Sequence, residues 1–190
     1  MWIEVIGLPG VGKTTMAEKS LSSIEENYKI IRSNAPSLLE RIAAKLLLHT
    51  VYARKVHDQK LAAKLAYRHG FRLFQNRSSN IFFYDSGIMQ LILENLIETD
   101  FADQQQKLDV LSGMPLPDKI IYIDDDLDVI AERETERAEP RFKMDYAQTA
   151  KSYKTAKHLI ESALLPYAGA AETVRSGNTE EFLKALTIKT

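Results

Sequence analysis

The chain has 190 residues, 45% hydrophobic and 27% charged, which is enough for one domain with its own apolar core. A net charge of −1 without a basic block argues against nucleic acid or an anionic membrane as partner, and the absence of cysteine excludes disulfides, thiol catalysis and thiolate metal sites. No run of roughly 18 apolar residues offers a membrane span, and a glycine loop opening at Gly7 leaves no room for a leader, so a soluble cytoplasmic protein is expected.

Trp2-Ile3-Glu4-Val5-Ile6 reads as a short strand, and Thr14 to Glu26 as a helix. Between them Gly7-Leu8-Pro9-Gly10-Val11-Gly12-Lys13-Thr14, followed by Thr15, matches G-x-x-x-x-G-K-[ST], the Walker A phosphate loop. Each residue type has a physical task. Gly7, Gly10 and Gly12 permit positive φ and let successive amides converge on an anion with no Cβ in the way. The helix behind adds its unpaired first-turn donors and positive dipole end. Lys13 would reach the β- and γ-phosphates of ATP, and the Thr14 hydroxyl would ligate Mg2+.

Tyr28 to Arg32 is a second strand, closed by a turn at Ser33-Asn34-Ala35-Pro36. Leu38, Leu39, Ile42, Ala43, Leu46 and Leu47 recur at helical spacing, and core packing is expected of them. The charged stretch 50–60 reads as a solvated helix face or a connection. A helix over about Gln59 to Asn76 carries Leu61, Leu65, Leu73 and Phe74, weakened at Gly70 by about 1 kcal/mol relative to alanine. Its Arg68 and Arg72, spaced i, i+4, share a face and repel unless an anion or acid lies between them. They are either solvent-exposed or acceptor-binding.

Asn80-Ile81-Phe82-Phe83-Tyr84 is a third strand, running into Asp85-Ser86-Gly87 and an apolar helix over Ile88 to Ile97. A carboxylate at the end of a buried parallel strand stands where α/β proteins bind ligands. Asp85 therefore either completes a magnesium site or caps the next helix. Residues 100–117 carry no evident chemistry. Lys119 to Ile123 is the fourth strand, ending in Asp124-Asp125-Asp126 with Asp128 beyond. Asp126 can cap the helix from Leu127, while Asp124 rivals Asp85 as the acidic residue of the nucleotide site. On that helix Arg133 and Arg137 share a face, and Arg141 follows Pro140. Two readings stand: a surface ladder, Glu134 with Arg137 and Glu136 with Arg133, or a lid whose arginines close over a transferring phosphoryl group.

A helix from Asp145 to about Leu165 shows Tyr153, Ala156, Leu159, Ile160 and Ala163 at core spacing and stops at Pro166. Glu172 to Arg175 is a closing strand, and Asn178 with Glu181 starts the last helix. His49, His57, His69 and His158 do not group at metal-ligand spacing. Strands alternating with helices specify an α/β protein with a parallel sheet covered on both faces.

The arrangement resembles the small P-loop kinases of the nucleoside monophosphate kinase-like family, and thymidylate kinases most nearly. The likeness runs over the whole chain: the phosphate loop, Arg32 and Pro36 after the second strand, Arg68 and Arg72 before the third, Asp85 after it, and Arg133, Arg137 and Arg141 after the fourth. It implies a single three-layer P-loop NTPase domain with five parallel strands ordered 2-3-1-4-5. It also implies a helical acceptor-side insertion at about 36–78, a lid at about 133–145, and adenine beside Arg175 to Asn178. Two departures fall in the acceptor region. Arg32-Ser33-Asn34-Ala35-Pro36 replaces the Arg-Glu-Pro-Gly-Gly segment of thymidylate kinases, and Ser86 replaces the arginine after the third-strand aspartate.

The expected function is transfer of the γ-phosphoryl group of ATP to a small acceptor: a nucleotide, nucleoside or related metabolite. The roles fall to Lys13 and the loop for the phosphates, Thr14 and Asp85 for Mg2+, Asp85 also as catalytic base for the proton of an alcohol or sugar acceptor, Arg133, Arg137 and Arg141 for the transition state, and Arg32, Arg68 and Arg72 for an anionic acceptor. The alternative is a nucleotide-dependent regulatory ATPase module built on Asp124, whose output is a partner interaction. Phosphorylation of nucleic-acid ends fits the even charge balance poorly. Oligomeric state is left open, a homodimer included.

Overall fold

A computed structural model of the chain describes residues 1–21, 28–31, 38–52, 59–74, 80–83, 87–97, 116–137, 144–167 and 170–186. The strands are β1 (Trp2–Ile6), β2 (Tyr28–Ile31), β3 (Asn80–Phe83), β4 (Lys119–Asp124) and β5 (Ala171–Arg175). The helices are α1 (Lys13–Leu21), α2 (Leu38–Leu47), α3 (Gln59–Phe74), α4 (Ile88–Ile97), α5 (Leu127–Thr135), α6 (Tyr146–Leu159) and α7 (Thr179–Leu186). A π-helical turn, Leu48–Tyr52, leaves α2, and another, Ile160–Leu164, prolongs α6. The strands pair in the order β2-β3-β1-β4-β5, all parallel. Side chains are described on β1, β4 and β5, while β2 and β3 enter by their backbone pairing.

This order places the helices. From β1 the chain crosses one way to β2, and from β3 it crosses back over β1 to β4. Right-handed crossovers in opposite directions put α1 on one face and α4 on the other. Contacts agree: α4 lies on β1 with α3 and α6 against it, and α7 packs on β4, β5 and α1. Adjacent strands β1 and β3 thus send their connections to opposite faces, and open α/β sheets bind ligands at such a point, beyond the carboxyl ends of the strands.

A central strand covered on both faces has no solvent side, so β1 is buried throughout, Glu4 included. Ile120 to Ile123 of β4 are buried beside it, and α4 brings Ile88, Met89, Leu91, Ile92 and Leu93 into the same core. A helix apolar almost all round belongs inside, and α4 is inside. Tyr153, Ala156, Leu159 and Ile160 occupy the core positions expected of them.

The reading of α2 is corrected. Leu38, Leu39, Ile42 and Leu46 stand 73%, 59%, 49% and 62% exposed, and only Ala43 and Leu47 turn partly inward. Among the described residues α2 packs chiefly on α3 and on the π-helical turn that follows it, as one arm of a helical hairpin. Its periodicity marks an apolar face, and these four side chains of that face stand exposed. The charged stretch is corrected in part, because Tyr52 at the end of the π-helical turn is fully buried and bonds His69 Nδ1 at 3.0 Å. Residues 53–58 lie outside the described residues. No described helix is long and apolar enough to cross a membrane.

Candidate active site

The loop leaves β1 at Gly7 and enters α1 at Lys13. Gly10 and Gly12 adopt φ of +87° and +91°, the left-handed region that side chains disfavour. Gly10 has a second reason to be glycine. A Cβ there would lie 2.8 Å from the Ile130 carbonyl oxygen and 3.5 Å from Glu134 Cβ, so α5 rests directly on the loop. That close approach brings Arg133 and Arg137 to the side of the glycine loop. Together with Pro9, Gly10, Gly12, Lys13, Thr14 and Thr15 they line one cleft of about 260 Å³. The volume is below the roughly 300–1,000 Å³ of pockets that enclose a whole drug-sized ligand, which makes the cleft a subsite.

Its chemistry suits an anion. The first intrahelical bond of α1 runs from Met16 N–H to the Gly12 carbonyl, so the amides ahead of Met16 have no helical partner. Lys13 Nζ donates to the carbonyl oxygens of Gly7 at 2.7 Å and Leu8 at 3.2 Å. Leu8 and Val11 are buried and anchor the loop from beneath. Ser176, in the turn after β5, donates its hydroxyl to the Val11 carbonyl at 2.8 Å and its N–H to the Asp124 carbonyl at 2.8 Å. The turn expected to border adenine therefore touches the loop.

The arginines do not form the ladder the sequence suggested. Arg137 pairs with buried Glu134 at 2.8 Å, as that ladder had it, but Arg133 pairs with Asp125 at 3.1 Å rather than with Glu136. Asp126 caps α5 by accepting from Asp128 N–H. Its neighbour Asp125 thereby stands at the helix start, within reach of Arg133.

Asp124 is engaged elsewhere. Its carboxylate receives Lys157 Nζ at 2.5 Å and the Tyr122 hydroxyl at 3.2 Å, and it does not line the cleft. Burial, with the negative charge of Asp124 beside it, holds the Tyr122 hydroxyl protonated well above its ordinary range. No three His, Cys, Asp or Glu among the described residues gather as a metal site.

Asp85, Arg32 and Arg141 lie outside the described residues, and Arg72 is described only as a backbone position on α3. Arg68 is half-buried, 5.6 Å from the centre of the Tyr67 ring, and near enough to Glu4 to act on its titration. Burial pushes the Glu4 carboxyl up to about 7, against the lowering effect of the Gln90, Met89 and Ile88 amides and the Arg68 charge.

Sequence reasoning missed Glu4, Gln90, Asp125 and the contact of Ser176 with the loop. Glu4 carried a signal. A carboxylate inside a strand that is apolar on both faces needs a buried partner. Gln90 carried none for its role at the loop, because the partners there lie 86 and 83 residues away along the chain.

No protein-family model and no curated protein matches this sequence. Solved structures do match in shape. A structure of deoxyadenosine kinase from M. mycoides, with the products dCMP and a flexible dCDP bound, aligns over 98% of this chain and 98% of its own at 18% identity, TM-score 0.59. Thymidylate kinase from Candida albicans aligns over 96% of this chain and 89% of its own at 17% identity, TM-score 0.58. The fold is that of the nucleoside and nucleotide kinases. In this fold the glycine loop, α5 and the turn after β5 come together as described.

Proposed function

We propose that this chain is an ATP-dependent kinase that transfers the γ-phosphoryl group to a small acceptor of the nucleotide, nucleoside or related metabolite class. One observation carries the reading: a glycine loop held in left-handed conformations shares a single cleft with Lys13 and two arginines of α5. A structural turn would need the glycines but not three cations around an open space.

The loop amides and Lys13 hold the β- and γ-oxygens, Lys13 leaving the Gly7 and Leu8 carbonyls to do so. An acceptor oxygen bonds to the γ-phosphorus in line as the bond to the β–γ bridging oxygen breaks, and ADP leaves with that electron pair; an alcohol acceptor would give its proton to Asp85, whereas a phosphate acceptor already carries a negative oxygen. Arg133, Arg137 and Arg141 neutralise the equatorial oxygens of this transition state. Glu134 and Asp125 keep two of these arginines at the cleft before ligand arrives. The Thr14 hydroxyl and Asp85 would hold Mg2+, which would supply positive charge to offset that of the phosphates. Arg32, Arg68 and Arg72 suit an anionic acceptor, and the acceptor would sit between α5 and the α2–α3 hairpin.

The test is transfer from terminally labelled ATP across a panel of nucleotides, nucleosides and sugars. A labelled acceptor that disappears with Lys13→Ala supports the kinase. Label released only as inorganic phosphate, unaffected by Asp85→Asn but abolished by Asp124→Asn, supports the regulatory ATPase instead.

A further inference from the structure

We propose that Gln90, seated by Glu4, is a positioning residue for Lys13, joining the acceptor side of the sheet to the phosphate loop. The proposal rests on the kinase reading above.

It begins at the entry to α4. A Cβ on Gly87 would fall 2.0 Å from Glu4 Oε1, so only glycine lets this segment lie on the carboxylate. Gln90 N–H donates to the same oxygen at 3.1 Å. Glu4 is fully buried in the central strand, and its Oε2 has no hydrogen-bond partner. A buried carboxylate oxygen left without a partner is costly. Its retention inside an apolar strand needs a reason beyond packing, and the seating of the first turn of α4 supplies one.

The side chain of Gln90, 1% exposed, then reaches the loop. Its Oε1 accepts from Gly7 N–H at 3.1 Å, and its Nε2 donates to Glu94 Oε1 at 2.9 Å, one turn further on. The orientation of the amide is determined by these partners. Gly7 offers only a donor and the Glu94 carboxylate only an acceptor, so Oε1 and Nε2 cannot exchange places.

Gly7 is the junction. Its N–H is held by Gln90, and its carbonyl receives Lys13 Nζ at 2.7 Å. It has little freedom to shift, since a Cβ there would meet the Ile123 carbonyl oxygen at 2.8 Å and Val11 Cγ1 at 2.9 Å. The resting place of the phosphate-binding lysine is therefore set by a side chain of α4. That helix begins three residues after Asp85, and α3, which carries Arg68, packs against it. A shift of the first turn of α4 reaches Lys13 through two hydrogen bonds.

The experiment is a double-mutant cycle read as affinity for magnesium ATP, with melting temperature recorded in parallel. Gln90→Met removes the acceptor with little change of volume. ATP affinity should fall about tenfold, ~1.4 kcal/mol, the scale of one buried hydrogen bond. In a Lys13→Ala background the same substitution should change it by less than about twofold, because the residue through which Gln90 acts is gone. Exchanging the pair, Gln90→Glu with Glu94→Gln, restores an acceptor to Gly7 and should recover the affinity. If Gln90→Met does not fold, Gln90→Asn withdraws the acceptor while keeping an amide, and the same cycle is run with it.

An equal loss in both backgrounds overturns the inference, since a merely structural glutamine would behave so. Undiminished ATP affinity in Gln90→Met overturns it as well while leaving the kinase reading intact. A wild-type chain that binds no ATP overturns both.

Discussion

Two helices of this molecule are rich in apolar residues and meet opposite fates. α4 places Ile88, Met89, Leu91, Ile92 and Leu93 in the core against β1, whereas α2 holds Leu38, Leu39, Ile42 and Leu46 out of it. The difference is topological. α4 crosses the sheet between β3 and β4, so its apolar surface is covered by construction. α2 is one arm of a hairpin and, among the described residues, packs chiefly on α3 and the π-helical turn that follows it. Periodicity reports which side of a helix is apolar. It does not report whether the chain supplies something to cover that side.

On the proposed function the contrast extends to chemistry, because the sheet side would hold the phosphates and the hairpin would face the acceptor. The largest effects should come from the sheet side. Lys13→Ala removes the cation nearest the β- and γ-oxygens and should lower phosphoryl transfer by about 100-fold or more. Gly10→Ala should be comparably damaging, since it adds a Cβ both at φ +87° and 2.8 Å from the Ile130 carbonyl. Gly177→Ala shares the positive φ, +84°, but its Cβ would meet nothing within 4 Å, so it should cost only about 1 to 2 kcal/mol of stability. Transfer rates and melting curves for the three variants check this. Equal damage from Gly10→Ala and Gly177→Ala would mean that the approach of α5 to the loop is unimportant.

Packing should show the same division. Leu93→Ala, in the fully buried stretch of α4, should cost about 2 to 5 kcal/mol in denaturant unfolding.

What was legible beforehand follows from the range of the interactions. The conformation of the glycine loop could be read in part, because its pattern encodes backbone geometry over a few residues: Gly10 and Gly12 take the positive φ expected of them and Gly7 does not. So could the helix starts: Asp126 accepts from Asp128 N–H, Asp145 and Gln148 form a full capping box, and Asn178 accepts from Glu181 N–H. The shared face of Arg133 and Arg137 was likewise local, and both line the cleft. Interactions closed by the fold were not legible. Lys157 finds Asp124 from another element, and Glu4 finds Gln90 on the helix packed against its strand. Both depend on which elements become neighbours, and composition and spacing do not reveal that. Arg133 finds Asp125 within one strand-to-helix segment, eight residues away, through the local geometry of the helix start.

Glu4 allows a titration test of the sheet side. Its folded pKa is raised to about 7 from an ordinary 4.5, chiefly by burial, so the folded state holds the proton more tightly than the unfolded chain does. The stability linked to this proton is fully present below the unfolded value and is lost as pH rises through about 7. Glu4→Gln removes the dependence. The stability of the variant relative to wild type should therefore rise by about 2 to 3 kcal/mol between roughly pH 5 and pH 8. Parallel pH profiles for the two proteins would show that Glu4 stays charged throughout, with Arg68 and the first-turn amides of α4 outweighing burial.

The smallest effect should come from α2, and it bears most directly on the opening contrast. Leu46→Ser places a hydroxyl where a 62%-exposed leucine stood, so little buried apolar contact is lost and the cost should stay within about 0.5 kcal/mol. The same change at a covered position would leave a cavity and a buried hydroxyl together. Denaturant unfolding of Leu46→Ser at two protein concentrations separates the cases. A small cost at both concentrations means that the stripe faces solvent as it does in the isolated chain. A cost above about 2 kcal/mol that grows with concentration means that another copy covers it in solution, because only association makes the stability of a folded chain depend on how much of it is present. The difference between α2 and α4 would then lie in which chain supplies the cover.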